Sequence, residues 1–412
     1  MNTHQSIPDK TLARSMKLLA EWQQIQNFDL LLAEQRKVDN SEVTDMAATT
    51  CRNYFRNKHY TDWLIQKSSQ KPPRGRIKKL LGIAISQLMD NQLPVEIICD
   101  TAVRFCKKKF SKFDASFVNG ILRSLTSEEL PKAPADIQLG LSPELLKQWK
   151  KNFSREQIED FATTLKSTAP MTARLSPEMP DISDLTDCTK KIKLPEWAGN
   201  IEVFEVTNAK EFLARNNGRM YIQDPAPLLS INLLSPQPGE VIADLCSAPG
   251  GKSLLIAQLM NGSGKLISSD ISKKRLITVQ ENLKNYPVCE IRQMDACNPD
   301  LEEESLDAVL LDVPCSNSGV IRRKADVRWT FNSKKVNELV ELQSKILQAT
   351  GRLVKKGGRL IYSTCSICPE ENIEVVNSFL KNNSNFQLDC SKSLLPTQFH
   401  DGSYSCKLIK IK

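Results

Sequence analysis

With 412 residues, 40% hydrophobic and 25% charged, the chain has an ordinary globular composition and the length for two or three domains with cores of their own. No run of about 18 apolar residues occurs, which excludes a membrane-spanning helix, and twelve cysteines are too sparse here for a disulfide scaffold. The net charge of +8 is uneven: residues 67–112 hold 11 Lys and Arg against 3 Asp and Glu, a balance that suits a nucleic-acid partner as well as a solvated face.

The N-terminal stretch MNTHQSIPDKTLARS has no apolar run behind its charges, so no export signal is expected, and reduced thiols in a cytoplasm follow. The three histidines, His4, His59 and His400, are scattered from end to end. A histidine metal site or a Ser-His-Asp triad is thereby disfavoured. Cys365-x-x-Cys368 stands without a second pair at zinc-ribbon spacing, and no metal is expected.

Residues 11–130 read as helices. In LARSMKLLAEWQQI, Leu12, Met16, Leu19 and Ile25 form one stripe at helical spacing. Residues 76–90 and 94–110 give two more helices, the second opening on Pro94 as a first-turn residue, and 116–125 another. Arg104, Lys107, Lys108, Lys109 and Lys112 cluster on or just after the 94–110 helix. Residues 131–170 are punctuated by proline and read as a connector with a short helix pair. From about 171 the texture changes to short apolar runs bounded by turns: MTARLSP, IEVFEV, VIADLC, KLISSDIS, CEIRQMD, LDAVLLDVP and GRLIYSTCS. Helical segments at 252–260, 272–284 and 333–355 separate most of them, the pattern of a doubly wound parallel sheet.

The stretch DLCSAPGGKS, residues 244–253, ends like a phosphate loop. A true one needs glycine five positions before Gly251, where Cys246 stands, and no G-x-G-x-x-G occurs either. The stretch still follows a strand and opens a helix, the place where open α/β sheets hold ligands. Pro249-Gly250-Gly251 permits close backbone approach without a full phosphate cradle, so a nucleoside lacking polyphosphate is expected. Asp270 ends the next strand, 26 residues after Asp244, where an acid hydrogen-bonds ribose hydroxyls. Asp295 follows where an adenine amino group is read. Any one of these acids alone could merely cap a helix; the ordered series points to S-adenosylmethionine.

Two further strands end in cysteine-bearing turns, Asp312-Val-Pro314-Cys315 and Thr364-Cys365-Ser366. An isolated cysteine is usually a small buried hydrophobe, but both of these lie in polar turns. Thiolates beside a methyl donor suit one reaction. Carbon 5 of cytosine is too poor a nucleophile for a sulfonium methyl until a thiolate adds to carbon 6 and an acid protonates nitrogen 3. A thiol with a pKa near 8.5 needs local help to ionise; Asp312 is placed to contact nitrogen 3 and the exocyclic amine.

DLCSAPGGKS, SSDISKKRL, LLDVPCSNSGVIRRKADVRW and YSTCSICPEENIEVV, with YIQDPAPLLSINLLSPQPGE upstream and DGSYSCKLIKIK downstream, resemble in order the RNA 5-methylcytosine methyltransferases of the RsmB/Nop2/Sun family. FVNGILRSL and LLGIAISQLMDNQLPVEIICDTAV resemble the NusB-like RNA-binding domain of its RsmB-type members, although the tyrosine-rich YGVLR segment appears only as CRNYFRN. Asn317-Ser318 departs from the small residue and threonine common in the family. The resemblance implies an all-α NusB-like domain (1–140), a connector and small α+β subdomain (141–225), and a Rossmann-like class I methyltransferase domain (226–412). It implies Cys365 as nucleophile, Cys315 as the group assisting product release, and Asp312 beside the base. The donor would be held by Cys246, Ser247, Ala248, Pro249, Gly250, Gly251, Lys252, Asp270, Asp295 and Asp312. The expected substrate is 16S ribosomal RNA, with neither DNA nor membrane as partner, and a cytoplasmic monomer. The alternatives are a tRNA cytosine methyltransferase, an idle RNA-binding assembly factor, and a nucleoside triphosphatase, the last disfavoured by Cys246.

Overall fold

The computed structural model describes residues 6–71, 73, 75–91, 93–127 and 129–412; His4, and Arg74 of the basic stretch, lie outside the described residues. The chain forms two compact units. One comprises the residues up to Ser167 together with Ile321–Phe331, and the other Thr168–Val320 with Asn332–Lys412.

The first unit is helical: α1 (Ile7–Ile25), α2 (Phe28–Val38), α3 (Glu42–Lys67), α4 (Gly75–Asp90), α5 (Val95–Lys109), α6 (Lys112–Thr126), α7 (Ala135–Gln138), α8 (Pro143–Asn152) and α9 (Arg155–Lys166). Side-chain caps start several of them. Ser6 accepts from the Asp9 amide at α1, and Ser154 and Gln157 form a reciprocal capping box at α9. Pro94 is the residue flanking α5 rather than part of its first turn. Leu12 and Leu19 are buried and Met16 packs at the edge of the core, but Ile25 is exposed. Gln26 turns left-handed there and Asn27 caps α2, so Trp22 supplies the last core contact of α1. Its ring lies 4.6 Å from that of Phe55, which meets Phe28 edge-on at 5.4 Å, pairs worth about 0.5–1.5 kcal/mol each beyond their burial.

The expected boundary at residue 140 falls elsewhere: α8 and α9 group with the helical unit, which also takes in residues 321–331 from far along the chain. Their embedding is polar as well as apolar. Asp326 Oδ2 accepts from Trp22 Nε1 at 3.1 Å and from the Phe28 amide at 2.9 Å. Arg328, fully buried, donates to the carbonyls of Arg56, Gly140 and Leu165, while Trp329 Nε1 donates to Phe55 O at 2.7 Å. Burial pulls the Arg328 guanidinium down to about 9. Nothing in local periodicity announces these contacts, because they join residues more than 150 positions apart.

The second unit opens with an antiparallel sheet of order β2-β3-β1-β4, made from β1 (Thr172–Leu175), β2 (Thr189–Ile192), β3 (Val203–Val206) and β4 (Met220–Ile222), with α10 (Ala209–Arg215) before β4. Then follow α11 (Leu228–Leu234), β5 (Val241–Asp244), α12 (Gly251–Leu259), β6 (Lys265–Asp270), α13 (Lys273–Leu283), β7 (Cys289–Gln293), β8 (Leu306–Asp312), α14 (Ser333–Gly351), β9 (Val354–Thr364), α15 (Ile373–Asn382), β10 (Phe386–Leu394) and β11 (Ser403–Lys410). The large sheet has the order β10-β11-β9-β8-β5-β6-β7. Strands β9, β8, β5, β6 and β7 run parallel, and the apolar runs in β5, β8 and the end of β9 suit strands buried on both faces. The edge formed by β11 and β10 is antiparallel; its serine- and lysine-rich sequence lacks the apolar run that marks a buried strand. Strand order reverses at β5, so the carboxyl ends of β5, β6, β8 and β9 meet at one switch point.

Candidate active site

Asp244 ends β5 with its carboxylate fully buried, one oxygen accepting from Ser253 Oγ at 2.6 Å and the other without a partner. Burial pushes this carboxyl up to about 7, against the lowering pull of Ser253 and Lys252. The loop to α12 contains a cis Ala248–Pro249 bond and Gly250 at φ 103°. A Cβ on Gly250 would lie 3.2 Å from Val279 Cα, and one on Gly251 2.9 Å from the Tyr221 ring. Both positions therefore require glycine for close packing and, at Gly250, for a left-handed backbone. Arg275 Nη2 donates to Ala248 O at 2.6 Å and Asn282 Nδ2 to Pro249 O at 2.9 Å, which pins the loop against α13. Cys246 is held as a thiol by burial.

Asp270, 3% exposed, accepts the Ser272 amide at 2.9 Å and pairs with Arg275 at 3.0 Å. Asp295 is exposed and accepts the Cys297 amide at 2.9 Å, as a turn-forming aspartate does. Around these ends, Asp244 Oδ1 and the hydroxyls of Ser247, Ser268 and Ser269 are buried with no partner. Orphaned buried polar atoms are costly. Beside glycines that open the backbone and an acid at the end of β6, they fit the polar amino-acid and ribose groups of S-adenosylmethionine.

Across the switch point, Lys252 forms an ion pair with Asp312, two residues that the sequence resemblance places together at the donor site. The two thiols come together: Cys315 Sγ and Cys365 Sγ are 3.0 Å apart. Asn317, left-handed at φ 60°, accepts from Cys365 Sγ at 3.3 Å and donates to Cys315 O at 3.0 Å. Ser318 Oγ bonds Ser366 Oγ at 2.8 Å and accepts the Ile367 amide at 3.1 Å. The departure at 317–318 is thus built into the pair of loops. The neighbouring thiol, burial and the Glu371 carboxylate, in that order, hold the Cys315 thiol well above its ordinary range.

Sequence reasoning missed three supports of this geometry. Glu371 is completely buried beneath both loops and bonds each of them; an acid five residues past Ser366 offered a signal. Gln343 of α14, also completely buried, donates to Pro314 O at 2.9 Å and carried none. Gly319 and Gly402 meet backbone to backbone, the Gly402 amide donating to Gly319 O at 2.8 Å.

A sheet with this switch point, a glycine-opened loop after β5 and an acid ending β6 define an S-adenosylmethionine-dependent methyltransferase. The family described as 16S rRNA methyltransferase RsmB/F matches residues 231–407, and the NusB family matches residues 10–127. A relative from Bacillus subtilis (strain 168), "Probable ribosomal RNA small subunit methyltransferase B", is 30% identical over 93% of this chain and 91% of its own. The protein titled "Crystal Structure of PH0851" superposes with a TM-score of 0.79 at 22% identity, covering 98% of this chain and 99% of that one. NSun6 from Pyrococcus horikoshii, solved with SFG, gives a TM-score of 0.56 at 19% identity over 66% of this chain and 98% of that one. The chain belongs to the RsmB family of RNA methyltransferases, with a NusB domain ahead of its catalytic domain.

Proposed function

We propose that this enzyme methylates carbon 5 of a cytosine in 16S ribosomal RNA through a covalent adduct between Cys365 and the base. The observation that carries the reading is the thiol pair, 3.0 Å apart at the ends of β8 and β9, on the same sheet edge as the Lys252–Asp312 pair. S-adenosylmethionine, held by residues 246–252 with Asp270 and Asp295, supplies an electrophilic methyl group when bound.

Cys365, as thiolate, adds to carbon 6 while Asp312, protonated in passing, gives its proton to nitrogen 3, which makes carbon 5 nucleophilic. Once carbon 5 carries its methyl group, loss of its proton restores the ring and expels Cys365. Cys315 assists this last step. The name of the Bacillus subtilis relative supports a small-subunit ribosomal substrate.

The NusB-like unit contributes RNA contact. Arg104 is neutralised by Asp9 and Asp100. Lys107, Lys108, Lys109 and Lys112, by contrast, enter no ion pair among the described residues, and Phe113 beside them is 82% exposed. Lysines and an open aromatic face suit phosphates and an unstacked base.

The test compares Cys365→Ala with Cys315→Ala, reading product by bisulfite sequencing of 16S RNA and adducts on denaturing gels. Cys365→Ala should give neither product nor adduct, whereas Cys315→Ala should accumulate an RNA-linked species of slow migration. Trapping by Cys365→Ala instead reverses the roles, and full turnover by both variants sinks the covalent mechanism.

A further inference from the structure

Glu371 belongs to a single turn, Pro369–Glu371, between β9 and α15. Its carbonyl accepts from the Tyr362 hydroxyl at 2.6 Å, which fixes that turn to β9. Its carboxylate gathers four donors. Oε1 accepts the Ser316 amide at 2.7 Å and Gln343 Nε2 at 3.2 Å. Oε2 accepts Ser366 Oγ at 2.6 Å and Ser316 Oγ. Ser316 directly follows Cys315, and Ser366 directly follows Cys365. One buried anion therefore spans the residues next to both thiols, while the same Gln343 nitrogen reaches Pro314 O on the far side of Cys315.

We infer that Glu371 is the positioning residue of the thiol pair: its carboxylate sets the spacing of the Cys315 and Cys365 loops, so that resolving and attacking thiols face one base. Packing alone would not demand a charge here. A buried carboxylate is costly unless fully hydrogen-bonded, and this one is supplied with donors on both oxygens from both loops. Glutamine has the same shape but removes the charge, and its NH2 would force the Ser316 and Ser366 hydroxyls to turn from donors into acceptors, giving up the charge-assisted bonds that hold both loops. Shape-preserving substitution should thus disturb the thiols, while the shorter aspartate keeps the right chemistry. The negative charge also raises the Cys315 thiol, so its removal should make Cys315 easier to ionise.

This inference rests on the proposed roles of the two cysteines, and its experiment separates the two. Phenylarsine oxide condenses with two adjacent thiols, forming two As–S bonds and releasing its oxygen as water with the two thiol protons. In the full-length enzyme it should bridge Cys315 and Cys365, read by intact mass and peptide mapping against a monothiol competitor. Glu371→Gln should weaken bridging at least tenfold. It should lower single-turnover methylation at least 100-fold with the KM for RNA within threefold, and move the Cys315 limb of the pH–rate profile to lower pH. Glu371→Asp should recover turnover to within about tenfold of wild type, which a merely space-filling role would not produce. If Glu371→Gln loses S-adenosylmethionine binding, and hence its fold, Ser316→Ala decides: it removes one bond of the four and should weaken bridging severalfold. Wild-type bridging and turnover in Glu371→Gln, or in Ser316→Ala where that variant decides, overturn the inference. If bridging depends on Glu371 while the wild type makes no 5-methylcytosine, positioning stands and the cytosine reading falls.

Discussion

Replacing Gly319 by alanine tests whether the thiol loops depend on a backbone contact that no other residue permits. A Cβ at 319 would lie 2.3 Å from Gly402 O, 2.6 Å from Gly402 C and 2.8 Å from Cys365 O. All three are backbone atoms, so no side chain can swing aside. Opening the nearest contact even to 3.0 Å needs about 0.7 Å of movement, shared between the loop after β8 and the segment entering β11, at a cost of about 1–3 kcal/mol for overpacking. The Gly319 amide also donates to Cys365 O at 3.0 Å, so the shift is delivered directly to the thiol pair. A displacement near 1 Å costs roughly 100-fold in rate. Gly319→Ala should therefore bind S-adenosylmethionine with wild-type affinity by calorimetry, because the loop after β5 is untouched. Its single-turnover methylation of 16S RNA should fall about 100-fold. A variant that methylates within threefold of wild type would show that the Gly319–Gly402 approach does not set the geometry of Cys365.

Asp270→Ala should weaken S-adenosylmethionine binding by about 1.5–3 kcal/mol, the typical loss of a hydrogen bond to a charged group; unchanged affinity in calorimetry would remove Asp270 from the donor site. Asp326→Ala should orphan the Trp22 indole and the Phe28 amide at about 1–3 kcal/mol each, partly offset by removing a carboxyl that burial already penalises. A net loss near 3 kcal/mol should lower the melting temperature of the helical unit by roughly 6–12 °C, whereas Asp326→Asn, which keeps an acceptor, should stay within about 3 °C. Asp244→Asn should change the pH dependence of stability. Because burial raises the folded carboxyl from 3.8 to about 7, the folded state holds a proton that the unfolded chain has released, and stability from this group falls as pH rises through that window and is flat above it. The full swing is at most about 4 kcal/mol at 1.36 kcal/mol per unit. Urea denaturation should show the asparagine variant gaining on wild type between pH 5 and pH 8; a constant difference would refute the buried-carboxyl argument.

What was legible in the sequence followed from range. The apolar parts of β5, β8 and the second half of β9 are buried on both faces and could be read as strands, and Asp244, Asp270, Asp312 and Cys365, at or just past the carboxyl ends of β5, β6, β8 and β9, fall at the switch point by topology alone. Ends of parallel strands converge whatever intervenes, which is why Cys315 and Cys365, 50 positions apart, were readable as neighbours. The supports were not. Gln343 lies on a helix whose periodicity predicts only which face is buried, not that one amide reaches Pro314 O and Glu371. Ile25 fits the apolar stripe of α1 yet lies exposed, because the capping geometry of Gln26 and Asn27 ends the helix there. Residues 321–331 show the limit most clearly. Their sequence, IRRKADVRWTF, is too short and too charged to declare a core, and Arg328 is buried only because three carbonyls from α3, the turn after α7 and α9 converge on it. Only one residue, Val320, separates this segment from Gly319, whose amide donates to the Cys365 carbonyl. Substitutions at Asp326 and at Gly319 therefore probe separately the packing of the helical unit and the geometry of the cysteine loops.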